Sequence, residues 1–324
     1  MRKQLLPALL LLGQLGCGDD GGPGPTTGGD DPAPDDIWLV ADQGFQRPTS
    51  AAVSRDGAMI YFAASTLESP PRQALFAVSA ARGAPRAPTQ LHAGAPLEYA
   101  TGMAIGCDSD ALYIADKAWN DGDDDRGALF RVSTAGGAPT RIAADGIYAP
   151  SGIAMGPDCE QLYVTGYDEQ GQGALFRVST AGGPVTVIKA GAPLQSPTGL
   201  DVDVHGVSWV NDHVAGTGGA GVLFAIDGEG GTTVAADRLH LGTPGEVKRT
   251  SGDTKAIIPV VNRMTGAGEL LAVEFATGDV TVIPAGDIAE PAGVGSARGA
   301  QQFAFTDPEG DKVFAAAPKP APAN

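Results

Sequence analysis

Between residues 37 and 315 the apolar positions fall in short runs separated by Gly, Asp and Pro. Leu112-Tyr113-Ile114-Ala115, Leu162-Tyr163-Val164-Thr165 and Ser208-Trp209-Val210 are typical, and Thr186-Val187-Ile188 and Thr281-Val282-Ile283 close two longer stretches. β-Branched and aromatic runs of this length, bounded by turn formers, predict strands. The runs also repeat. Gly127-Ala128-Leu129-Phe130-Arg131-Val132-Ser133-Thr134-Ala135-Gly136-Gly137 recurs letter for letter at Gly173 to Gly183, and weaker copies stand at Gln73 to Val78, Gly221 to Ile226 and Gly268 to Val273.

Upstream of each copy lies a small residue followed by an apolar alternation. Taking Ser50, Gly102, Gly152, Gly199, Gly245 and Gly293 as equivalent gives intervals of 52, 50, 47, 46 and 48 residues. A unit of this length holding four strands has the period of a propeller blade, which predicts an all-β, six-bladed β-propeller. Small landmark residues have a steric reason, since first strands crowd around the central axis. The last unit runs out after Lys312-Val313-Phe314, one strand short, and Ile37-Trp38-Leu39-Val40-Ala41-Asp42 has no unit of its own. The N-terminal strand is therefore expected to complete the sixth blade and close the ring.

Composition agrees. With 47 Gly and 25 Pro in 324 residues long helices are excluded, while 43% hydrophobic residues suffice for a core. The formal net charge of −17 repels a phosphate backbone and argues against nucleic-acid binding.

The first residues read as an export signal. Arg2 and Lys3 form a basic start, and Leu5 to Leu12 an apolar stretch too short to span a bilayer. Gln14-Leu15-Gly16-Cys17 follows and resembles the lipobox of bacterial lipoproteins, with Gln14 where Leu is preferred and Leu15 where a small residue is common. The resemblance implies a lipid anchor on Cys17, hence a membrane partner. Gly18, and not Asp, follows the Cys, so the resemblance implies the outer membrane. Residues 18–36 hold six Asp, no basic residue and no large apolar side chain, and read as an acidic tether. The propeller is expected over 37–315, and the Pro/Ala-rich residues 316–324 as a loose tail.

The repeat pattern resembles the six-bladed propellers of the TolB-like, NHL-repeat and gluconolactonase group over nearly all of 37–315. The resemblance implies a ligand face, the top, where loops enter first strands and leave second strands. Thr49, Thr101, Ser151, Thr198 and Ala292 would ring that entrance. Gluconolactonase-like enzymes hold a divalent metal there with Asn, Asp and a Glu from blade one; here Asp116, Asp212, Asn262 and Asp307 follow second strands and form a candidate oxygen-ligand ring for Ca²⁺ or Mg²⁺. The competing expectation is that these residues cap turns.

Asp121, Asp123 and Asp125 imitate the start of an EF-hand calcium loop, but Arg126 stands where the tight turn requires Gly and Val132 where a closing Glu is needed, so a solvated acidic loop is expected. Gly216 to Gly221 satisfies G-x-G-x-x-G, yet a strand follows instead of a helix, and it reads as a loop. Of the four His, His213 beside Asp212 is the one acid/base candidate; His205 falls in a first-to-second-strand turn. Cys107 and Cys159 fall in such turns of adjacent blades, where an oxidising compartment allows a disulfide if their Cα atoms come within the roughly 4.4–6.8 Å it requires. The pattern as a whole points to a non-enzymatic, anchored binding or scaffold propeller whose protein, glycan or small-molecule ligand sits on the top face. A metal-dependent hydrolase or lactonase is the alternative.

Overall fold

The computed structural model describes residues 31–120, 126–143, 145–242 and 245–319. The apolar runs are strands throughout. β1 (Asp36–Ala41) precedes blade one, which is β2 (Gln46–Val53), β3 (Met59–Ser65), β4 (Gln73–Ser79) and β5 (Thr89–Ala93). Blade two is β6 (Ala100–Ile105), β7 (Ala111–Asp116), β8 (Ala128–Ser133) and β9 (Thr140–Ala143); blade three is β10 (Ile153–Met155), β11 (Gln161–Tyr167), β12 (Gly173–Ser179) and β13 (Thr186–Ala190). Blade four is β14 (Pro197–Val202), β15 (Ser208–Asp212), β16 (Gly221–Ile226) and β17 (Thr232–Leu239), and blade five β18 (Lys248–Arg249), β19 (Lys255–Val261), β20 (Gly268–Glu274) and β21 (Val280–Pro284). Blade six contributes β22 (Val294–Ser296), β23 (Phe303–Asp307) and β24 (Lys312–Ala317). Each blade is a four-stranded antiparallel meander, and β1 fills the outer position of the sixth beside β24. The protein is a six-bladed β-propeller.

Closure runs in the register Ile37↔Ala316, Trp38↔Ala315 and Leu39↔Phe314. It is latched to blade one as well: Trp38 Nε1 donates to Ala80 O at 3.0 Å, the Arg86 N–H donates to Val40 O at 2.8 Å, and Arg82 pairs with Asp36 at 2.6 Å while lying over the Trp38 ring. These contacts move the expected boundaries. Ala316 and Ala317 pair with Ile37 and Asp36 and so belong to β24, not to a loose tail. At the other end Asp31 is buried against blade five, where its carboxylate accepts from the Thr250 and Thr254 hydroxyls and its carbonyl from Lys255 Nζ. The last residues of the expected tether are thus structured.

The core lies between neighbouring blades, as the alternation requires. Tyr61, Leu75 and Ala77 of blade one pack with Met103, Leu112, Ile114 and Phe130 of blade two in one apolar cluster. The repeated Phe recurs as a core side chain at Phe76, Phe130, Phe176 and Phe224, none more than 2% exposed.

The landmark residues owe their size to the next blade. A Cβ on Gly102 would stand 2.1 Å from Ser151 O, and one on Gly152 2.4 Å from Thr198 O. Register places five of the six landmarks as expected and corrects one. Four residues past each landmark a backbone N–H closes the turn to the second strand: Ser54, Gly106, Gly156, Asp203, Thr250 and Ala297. Counting back from Thr250 reaches Glu246, not Gly245, and the last three intervals become 47, 47 and 47. A glutamate stands where the other blades have Gly or Ser.

Candidate functional site

The three threonine hydroxyls expected to ring the top face hold the ring together. Thr49 Oγ1 donates to Ala100 O at 2.8 Å, Thr101 Oγ1 to Pro150 O at 2.9 Å, and Thr198 Oγ1 to Gly245 O at 3.4 Å, each reaching from one blade to the next. Thr165 does the same toward Thr198 O at 3.1 Å.

The candidate metal residues are likewise engaged. Asp116 is fully buried and accepts from the N–H groups of Glu98 (2.7 Å), Tyr99 (3.0 Å), Ala118 (3.1 Å) and Trp119 (3.0 Å). Asp212 accepts from Gln195 at 2.7 Å and Ser196 at 2.9 Å, and Asp307 from Ala289 at 2.9 Å and Glu290 at 3.1 Å. The three occupy equivalent positions in blades two, four and six, and each fastens the connection arriving from the preceding blade. Asn262 lies two residues beyond that register, where it caps its own turn through the Met264 N–H and donates to Glu269. Among the described residues no three His, Cys, Asp or Glu side chains converge as a metal site. Asp121, Asp123 and Asp125 lie outside the described residues, as does Cys17. Replacing Asp116 with Ala leaves four N–H groups without that acceptor; the variant should lose about 2 kcal/mol or more of stability, measured by urea denaturation.

His213 Nδ1 lies 3.3 Å from Ser196 O, and His205 sits in the turn between β14 and β15. Gly216 to Gly221 forms a short 3₁₀ turn leading into β16. Cys107 and Cys159 are joined as a disulfide with Cα atoms 5.9 Å apart, fastening the first turns of blades two and three.

The principal cavity opens on the other face, among the first-to-second-strand turns. It holds about 460 Å³, within the size range of small-molecule sites, and reaches the C-terminal ends of all six inner strands. Its two sides differ. Blades one to three supply mainly apolar side chains, Ala52, Val53, Met103, Ile105 and Met155, with the exposed Arg55 at the rim, whereas blades four to six supply Asp201, Lys248, Arg249, Asp253 and Arg298. Asp201 and Lys248 occupy the register position that holds Ala52, Ala104 and Ala154 in the apolar half.

The charged side is tightly wired. Arg249 pairs with Asp253 through Nη1, approaches Asp201 at 3.3 Å through Nε, and donates from Nη2 to Val202 O at 2.6 Å. Burial would raise the Asp201 carboxyl, yet Arg249 and Lys248 hold it below its usual range; burial does raise Asp253. Arg298 reaches across the mouth from blade six to the opposite blade, donating to Met155 O and to Gly156 O at 3.3 Å, and burial lowers its pKa. Deeper on the axis, Glu246 accepts from the Val294 N–H at 2.9 Å. Burial pushes its carboxyl up to about 7, against the influence of Lys248 and the N–H groups of Val294 and Met103.

None of Asp201, Glu246, Lys248, Arg249, Asp253 or Arg298 stands out in the sequence as a motif. Aligning the six inner strands column by column would have exposed them as charges in columns otherwise small or apolar.

No protein-family model matches the sequence, and no curated protein matches it. Solved structures share the fold. The PQQ-bound aldose sugar dehydrogenase of Streptomyces coelicolor superposes with a TM-score of 0.62 at 15% identity, covering 88% of this chain and 99% of that one. The nidogen/laminin complex gives 0.59 at 17% identity, covering 75% and 85%. TolB of Acinetobacter baumannii gives 0.55 at 11% identity over 84% of this chain, which spans 54% of that one. These likenesses are of fold alone and define the class of the protein as a β-propeller. Among the described residues no helix is long and apolar enough to cross a membrane.

Proposed function

We propose that the protein is an exported, lipid-anchored binding propeller of the bacterial outer membrane, holding a small ligand in the cavity on its turn face. The observation that supports this reading most directly is the two-sided cavity: a mainly apolar wall from three blades, with Arg55 at its rim, facing a hydrogen-bonded charged wall from the other three, the lining expected of a ligand site. The hydrolase alternative has no comparable support, because the carboxylates of Asp116, Asp212 and Asp307 already serve backbone N–H groups.

Two experiments test it. Changing Cys17 to Ala should move the protein from the membrane to the soluble fraction, and unchanged partitioning would refute anchoring. A fragment screen by ligand-observed NMR on that soluble full chain should yield ligands that Ser296→Trp, which fills the cavity from its half-buried rim, excludes. Ligands indifferent to Ser296→Trp would refute the site.

A further inference from the structure

Lys248 and Arg298 differ from Arg249 in their partners, and the exposed Arg55 at the rim is a further cation of the cavity. Lys248 does lie near enough to Asp201 and Glu246 to lower the pKa of both. Arg249 is paired with two carboxylates, Asp201 and Asp253. Lys248 is buried, and its ammonium donates to a neutral acceptor, Leu200 O, at 3.0 Å. Arg298 likewise ends on the carbonyl oxygens of Met155 and Gly156, beside the Cys107 sulfur at 3.9 Å. Neither cation takes part in an ion pair among the described residues. A cation held by carbonyl dipoles gains a charge-assisted bond when a carboxylate replaces them, and the gain is larger for the buried Lys248 than for Arg298 at the exposed rim. Both line one cavity, on adjacent blades, opposite the apolar wall of Val53, Met103, Ile105 and Met155.

We propose that the cavity binds small amphiphilic carboxylates, the anionic head between Lys248 and Arg298 and the apolar tail against blades one to three. The proposal rests on the cavity being the ligand site and adds the chemical class. The acidic surroundings favour selectivity: with Asp201, Asp203 and Asp253 nearby, the pair offers room for one negative group and repels polyanions.

The test is calorimetric titration of the full chain carrying Cys17→Ala with hexanoate and octanoate, and with the amide and amine of each length. Carboxylates are expected to bind at least about tenfold tighter than their amides. Arg298→Gln, on an exposed turn, and Lys248→Met are each expected to weaken carboxylate binding about tenfold while changing amide binding less than about twofold. If amides or amines bind as tightly as carboxylates in a cavity that Ser296→Trp still blocks, or if Arg298→Gln leaves carboxylate affinity unchanged, the carboxylate preference is overturned and the cavity reading stands. If no member of the series binds while the fragment screen yields ligands that Ser296→Trp excludes, the carboxylate class falls and the cavity reading stands; if whatever binds is indifferent to Ser296→Trp, both fall together.

Discussion

Raising the pH from 5 to 8 should cost the protein about 2 to 3 kcal/mol of folding stability through one side chain, and Glu246→Gln should abolish that loss. Glu246 has a folded pKa of about 7 against 4.5 for the ordinary group. The folded state therefore binds this proton more tightly than the unfolded one, and between those values stability falls as pH rises. The contribution is fully present below about pH 4.5 and gone above about pH 7. The cause is the burial of a carboxylate at a position where the other blades carry Gly or Ser, incompletely offset by Lys248 and by N–H donors from Val294 and Met103. Gln keeps an acceptor for the Val294 N–H and carries no charge. Urea denaturation of both proteins at pH 5 and pH 8 checks this: the difference between them should be small at the lower pH and favour the variant at the higher. A wild type whose advantage or deficit is the same at both values would show that Glu246 ionises freely.

Gly102→Ala should be more damaging still, with a loss of about 4 kcal/mol or failure to fold. The added Cβ would lie 2.1 Å from Ser151 O, and the obstacle is backbone of the next blade's inner strand, which cannot turn aside as a flexible side chain would. Moving it shifts blade three, and with it the disulfide turn that blade two shares through Cys107 and Cys159. Gly228→Ala is the matched control. A Cβ there meets nothing within 4 Å, its φ is not in the left-handed region, and the change should stay within about 0.5 kcal/mol. Chemical denaturation of the two variants side by side reads the contrast, and equal effects would sink the crowding account.

The blades were legible because nearly all repeat the same problem: one strand quartet, one buried Phe on the third strand, replaced by Leu271 in blade five, and one tight inner position. The closing strand was legible for the same reason, as an unmatched piece beside an incomplete unit. The cavity was not, because its chemistry is written as departures from the repeat. In blade five Gly245 imitates the landmark one residue early and hides Glu246, an offset that only backbone pairing resolves. Asn262 shows the same limit, looking equivalent to Asp116 and Asp307 in sequence but sitting two positions further along, just past the end of β19. Asp212 and its counterparts could not be assigned from sequence to ligand or bracket, since both roles use a carboxylate after a second strand; the N–H groups around it decide what it does here.

The strand that seals the ring is the first of the propeller to be synthesised, and its partner is the last. Trp38 and Ala315 meet only when the whole domain exists. Until then a growing chain carries two raw sheet edges, β1 on one side and the latest strand on the other, each a template for pairing with another molecule. So distant a pairing makes folding slow and nearly all-or-none, because five finished blades still lack their clasp. A chain cut short before β24 is therefore not a smaller propeller but an open arc, and its fate is decided by how quickly something else covers its ends.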